Sequence, residues 1–156
     1  MSTPTSKPNR RRRLPDPNVG ILMREPYLAV SAALYERLAA AGFGDLRPAY
    51  LVVFQHVAPE GTRLTTLAER AQLTTPSMKY LVDALEELGY VERVADPTDG
   101  RARLIRFTDR GWRQVHAALE ILGDIEDEWA ELLGRRRFAQ LRRDLLELNQ
   151  LIAQRT

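Results

Sequence analysis

The stretch Leu64–Gly111 reads LTTLAERAQLTTPSMKYLVDALEELGYVERVADPTDGRARLIRFTDRG, and the order of its elements decides the fold. A short helix over Thr66 to Ala71 is followed by a turn and by a second helix opened at Thr75-Pro76. A strand from Tyr90 to Val94 leads into the turn Asp96-Pro97-Thr98-Asp99-Gly100, and an arginine-studded return strand runs from Arg101 to Phe107. Two helices on a tight turn followed by a hairpin make a winged helix-turn-helix. Such a unit can lay one helix in a DNA major groove and bring a hairpin tip to the minor groove or the backbone.

The first of these helices has a capping-box spacing at Thr66 and Glu69, with Thr65 an equally good cap; Leu64, Leu67, Ala68, Ala71 and Leu73 would pack inward. In the second, Thr75 is the expected N-cap and Pro76 the first helical residue. Met78, Leu81, Val82, Leu85 and Leu88 fall on one stripe, and Gly89 ends the helix. Opposite the stripe lie Pro76, Ser77, Tyr80 and Ala84, flanked by Lys79 and Asp83. Thr75, Ser77, Lys79 and Tyr80 are therefore the candidates to reach base edges and phosphates. An ordinary amphipathic surface helix is the competing reading; the arginine-tipped hairpin that follows at once weighs against it.

In the return strand, alternation puts Arg101, Arg103, Ile105 and Phe107 on one side. Ile105 and Phe107 would anchor the base of the strand, so Arg101 and Arg103 project from the tip, suited to a narrow, electronegative minor groove. Asp99 completes the candidate set: it could grip the Arg101 guanidinium, either as a purely structural pair or in support of a DNA contact.

Working outward, residues 1–19 carry prolines at 4, 8, 15 and 17 and the run Arg10 to Arg13, with no periodicity. They read as a disordered basic tail, either a phosphate-contacting arm or a solvated one. The tail holds a charge of +4 within a total of +2, so the remainder is −2 and DNA binding must rest on local patches. Residues 20–41 show a helical pattern through Leu28, Leu34, Tyr35 and Leu38, stopped by Gly42 and Gly44. A second helix opens at Arg47-Pro48 with Leu51, Phe54 and Val57 on one face. Thr108-Asp109 caps a later helix whose Trp112, Val115, Leu119, Leu122 and Trp129 form a seam interrupted by Glu126. The last helix places Phe138, Leu141, Leu145, Leu148 and Ile152 at 3-4-3-4 spacing, a surface for a partner helix. The chain thus divides into the tail at 1–19, a winged helix-turn-helix at 42–107, and a helical dimerisation region at 20–41 and 108–156. The fold class is mainly α with a small β-hairpin wing.

Two of these stretches carry a family likeness. Asp96-Pro97-Thr98-Asp99-Gly100-Arg101 through Phe107-Thr108-Asp109-Arg110-Gly111 resembles the wing signature of the MarR (multiple antibiotic resistance regulator) family of bacterial transcription factors. Leu81-Val82-Asp83, Leu85-Glu86 and Gly89-Tyr90-Val91-Glu92-Arg93 resemble its recognition helix and following strand. The likeness covers about residues 20–156. It implies an all-α body dimerised through the first and last helices, and a repressor-type role at promoters relieved by a small aromatic or phenolic ligand. Tyr80 departs from the arginine that many members carry there; a phenol cannot make the bidentate contact to guanine that a guanidinium makes.

The resemblance also implies an effector cleft between the dimer helices and the DNA-reading head, for which Tyr27, Tyr35, His56 and Trp112 are candidates; for each, a plain core role is the alternative. No cysteine occurs, so disulfides, thiolate metal sites and thiol-based redox sensing are excluded for these residues. The two histidines have no metal-site spacing, no catalytic motif occurs, and neither a membrane span nor a signal peptide is expected. The expectation is a cytoplasmic, cofactor-free homodimer that binds double-stranded DNA and is not an enzyme. The rival is a winged-helix protein-interaction module that has lost operator reading.

Overall fold

The computed structural model describes residues 16–155; Arg10–Arg13 and most of the expected tail lie outside the described residues. Helix α1 (Val19–Leu38) is capped by Asn18, whose side chain accepts from Ile21 N, and it relaxes into a π turn at Ala39–Phe43. A 3-10 turn at Pro48–Tyr50 leads into α2 (Leu51–His56). The head follows: β1 (Thr62–Arg63), α3 (Leu64–Arg70), α4 (Thr75–Glu87), β2 (Val91–Asp96) and β3 (Asp99–Phe107). Two long helices, α5 (Asp109–Leu133) and α6 (Arg135–Ala153), close the chain. The fold is mainly helical with a small antiparallel wing, and among the described residues no helix is long and apolar enough to cross a membrane.

The wing is a three-stranded sheet in the order β1-β3-β2, with Thr62 opposite Ile105 and Val91 opposite Phe107. Two-residue β1 is too short to show a period-2 pattern in sequence. It exists because β3 offers it a free edge. The core sits under the head: Val53, Leu67, Met78, Val82, Leu85, Tyr90 and Ile105 are fully buried. Met78, Val82 and Leu85 belong to the apolar stripe read from the α4 sequence; side chains of this size contribute about 1.5–3 kcal/mol each when fully buried. Phe54 stacks on Phe107 at 5.6 Å between ring centres, and Trp112 meets Phe107 edge-on at 5.2 Å, tying the start of α5 to the wing.

Several local expectations are corrected. Thr74, not Thr75, caps α4: its Oγ1 accepts from Ser77 N at 3.2 Å, which leaves Pro76 one residue deeper in the first turn. Neither Thr65 nor Thr66 caps α3, which starts at Leu64 behind Arg63 because the chain enters it straight from β1. Along α5 the buried positions are Gly111, Gln114, Ile125 and Ala130, and the seam residues Trp112, Val115, Leu122 and Trp129 are half-buried, with Leu119 62% exposed. Thr108 does cap α5, accepting from Gly111 N at 3.1 Å.

Candidate nucleic-acid interface

The turn between α3 and α4 is closed by local hydrogen bonds. Gln72 N donates to Glu69 O and Leu73 N to Ala68 O, which requires Gln72 to adopt φ +53°. A left-handed residue in this place swings the chain so that α4 leaves across α3. At the far end of α4, Gly89 at φ +76° makes the same device, with Tyr90 N donating to Leu85 O and Gly89 N to Glu86 O. Backbone bonds thus fix the turn that enters α4 and the turn that leaves it, the Thr74 side chain caps its start, and its outward face is set by them.

On that face Thr75, Pro76, Ser77, Lys79 and Tyr80 are all exposed, with Tyr80 at 68%. Ser77 Oγ lies 2.8 Å from Thr74 Oγ1, so its hydroxyl is already oriented by the cap. Lys79 Nζ donates to Asp83 Oδ2 at 2.5 Å. Asp83 also accepts from Arg93 of β2, and those two cations hold its carboxyl below the ordinary carboxylate value, the lysine bond being the larger cause. Beside the start of α4 runs an open apolar groove of about 650 Å³, lined by Val52, Leu73, Pro76, Tyr80 and Leu81 among others.

The wing tip is built around Asp96. Its Oδ1 accepts from Thr98 N at 2.8 Å and Thr98 Oγ1 at 2.7 Å, closing the turn. Its Oδ2 accepts from Arg63 Nε at 2.9 Å and Nη2 at 2.6 Å. Only 6% of Asp96 is exposed, and these bonds push its carboxyl down to about 2, the Thr98 hydroxyl contributing most, then the Thr98 amide, then Arg63. Asp99 does not grip the Arg101 guanidinium as expected. It accepts from the Arg101 backbone N at 3.2 Å and stands 3.5 Å from Arg63 Nη2, because the hairpin bulge pairs Asp96 with Asp99 and turns both acids towards β1. The guanidinium groups of Arg101 and Arg103 have no carboxylate partner among the described residues, and both side chains are exposed. Arg63 and Asp96 are the members of this site that sequence reasoning missed. The Asx-turn chemistry of Asp96-Pro97-Thr98 was available as a signal for Asp96; nothing local marks Arg63.

The four ligand candidates sit on three helices, Tyr27 and Tyr35 on α1, His56 on α2 and Trp112 on α5. Tyr27 is 59% exposed on α1. Tyr35 donates to Pro48 O at 3.4 Å, and burial followed by the nearby Tyr27 pushes its phenol up to about 12. His56 ends α2, where its carbonyl accepts from Arg70 and Thr62. Trp112 lines a polar cleft with Pro59, Glu92, Arg106 and Asp109.

Known proteins share this architecture. A family model described as MarR family matches residues 45–102. The transcriptional regulator HosA of Escherichia coli O111:H- is 34% identical over 89 residues, 57% of this chain and 64% of HosA, so the match spans less than two thirds of that relative. Among solved structures, the transcriptional repressor CouR bound to a 23-mer DNA duplex is 27% identical, with a TM-score of 0.66, covering 87% of this chain and 92% of that one. CouR from Rhodococcus jostii RHA1 bound to p-coumaroyl-CoA is similar at 27% identity and a TM-score of 0.64, covering 84% of this chain and 91% of that one.

Proposed function

We propose, from the MarR-family match over residues 45–102, that this chain is a dimeric, sequence-specific DNA-binding transcriptional regulator, a repressor acting at an inverted-repeat operator. The observation that carries the reading is the pairing of two surfaces: the exposed start of α4 with Ser77, Lys79 and Tyr80, and the wing with the exposed Arg101 and Arg103. The first has groups that can read base edges, the second cations for phosphates or a minor groove. CouR, which shares the fold at 27% identity, has been captured on a DNA duplex.

Dimerisation is supported by what one chain leaves uncovered. On α1, Val19, Ile21, Leu22, Met23, Tyr27 and Leu28 are exposed; on α6, no residue is buried, and Leu141, Leu146, Leu148 and Leu151 are exposed. Apolar surface on this scale marks an interface, and a two-fold dimer presents two recognition helices about one DNA turn apart. Release by a small aromatic effector completes the reading, supported by CouR holding p-coumaroyl-CoA.

Selection of bound sequences from random duplexes tests the proposal. The expected product is an inverted repeat with half-site centres roughly 10 bp apart, and light scattering should give a dimer at micromolar concentration. Failure to enrich any sequence would leave a winged helix without operator reading.

A further inference from the structure

Asp83 stands one turn after Lys79 on α4, and its two carboxylate oxygens face different cations. Oδ2 accepts from Lys79 Nζ at 2.5 Å, and Oδ1 accepts from Arg93 Nη2 at 2.7 Å. Arg93 lies on β2, is only partly exposed, and is bound through its other terminal nitrogen by Glu86. The carboxylate is thereby pinned from behind at the edge of the outward face. Lys79, by contrast, is 60% exposed on a flexible four-carbon stem.

Lys79 is also the one cation that α4 carries between Thr75 and Glu87. Sequence-independent DNA affinity grows with the number of phosphates that lysine and arginine side chains neutralise. A lysine held by a pinned carboxylate is withdrawn from that count, since a passing phosphate must displace Asp83 to recruit it. A matching half-site seats the helix in the groove and can offer the ammonium a fixed base-edge or phosphate acceptor instead.

We infer that Asp83 is a selectivity-determining residue of the recognition helix, keeping Lys79 occupied on unmatched DNA and yielding it only at a matching half-site. This rests on the DNA-binding reading above and adds how that surface suppresses binding to the wrong sequences. It works by subtraction: the operator is favoured because other sequences are denied one contact per protomer.

The test uses the purified full chain, the selected operator duplex and a scrambled duplex of equal composition, titrated by fluorescence anisotropy across a range of salt. Asp83→Asn preserves shape and an acceptor for Arg93 but removes the charge. It should bind the scrambled duplex about 5- to 10-fold more tightly and the operator at most about twofold more tightly. The log–log salt slope on scrambled DNA should steepen by roughly 0.9 per protomer. Lys79→Gln should weaken operator binding and leave scrambled binding within about twofold. In the Lys79→Gln background, the gain from Asp83→Asn should disappear. An unchanged operator-to-scrambled ratio in Asp83→Asn overturns the inference, and so does a gain that persists without Lys79. If Asp83→Asn fails to fold, the Lys79→Gln arm still decides: equal losses on both duplexes mean that Lys79 is never withheld. A wild-type protein that does not prefer the operator would instead overturn the DNA-binding reading itself.

Discussion

Replacing Gly111 by alanine probes the joint between the DNA-reading head and α5. A Cβ at this position would lie 2.1 Å from the Tyr90 carbonyl oxygen and 3.2 Å from Cβ and Cδ1 of Phe107. Carbon–oxygen contacts between backbones close at about 3.3 Å, so the first turn of α5 and the start of β2 would have to part by roughly 1 Å. Neither side yields readily. Tyr90 is fully buried, its amide donates to Leu85 O at 2.8 Å, and its carbonyl accepts from Thr108 N at 3.1 Å. Phe107 is wedged between Phe54 and Trp112. Overpacking costs about 1–3 kcal/mol, and the upper end applies because the obstructing atom is backbone. Alanine's helical preference returns up to about 1 kcal/mol, less in a first turn. The net loss is about 2 kcal/mol, which for a chain of this length lowers Tm by about 4–8 °C. Melting followed by circular dichroism, with a urea titration as a second reading, measures it. A variant as stable as the wild type, or more so, would show that the joint opens freely and that this close approach does not constrain the head.

Three further outcomes follow from the interface. Asp96 should titrate near 2, against about 3.9 for a free aspartate, so the wing's stabilisation by its clasp is complete above about pH 4 and is lost as pH falls through about 2. Arg63→Ala should raise that midpoint while Thr98 still holds it below the free value; carboxyl titration by NMR reads both, and a wild-type midpoint near 4 would refute the clasp. Gln72→Gly should stabilise the protein by about 0.5–1 kcal/mol, since φ +53° strains any side chain there; a lower denaturation midpoint would mean that the Gln72 side chain has a stabilising role outweighing the strain. Tyr80→Arg should move base preference towards guanine at one position of each half-site by about 1–3 kcal/mol, and identical selected sequences for the two proteins would make Tyr80 a bystander.

Elements stabilised by bonds within a few residues are legible in the amino-acid sequence. At Gly89 α4 closes, Gly89 N donating to Glu86 O and Tyr90 N to Leu85 O; Thr108 caps α5 by accepting from Gly111 N; and Met78, Val82 and Leu85 repeat at the helical period. Such features depend on neighbours in the chain, so spacing and residue type suffice to find them. The outward set of Ser77, Lys79, Tyr80, Arg101 and Arg103 emerges in the same way, as the complement of the buried stripe and the buried strand base.

What the sequence could not decide is where side chains meet across long separations or where two similar patterns compete. Residue type pointed to Thr75 as the cap of α4; the path of the chain out of the α3–α4 turn selects Thr74. The clasp joins Arg63 to Asp96 across 33 residues, and it redirects Asp99 from the partner that adjacency suggested. Asp83 lies between Lys79 and Arg93 only because β2 folds back along α4. Local hydrogen bonding and periodicity determined the elements from sequence alone; the tertiary structure decided which charges pair and which face of a helix is covered, because those depend on distances that no spacing along the chain encodes.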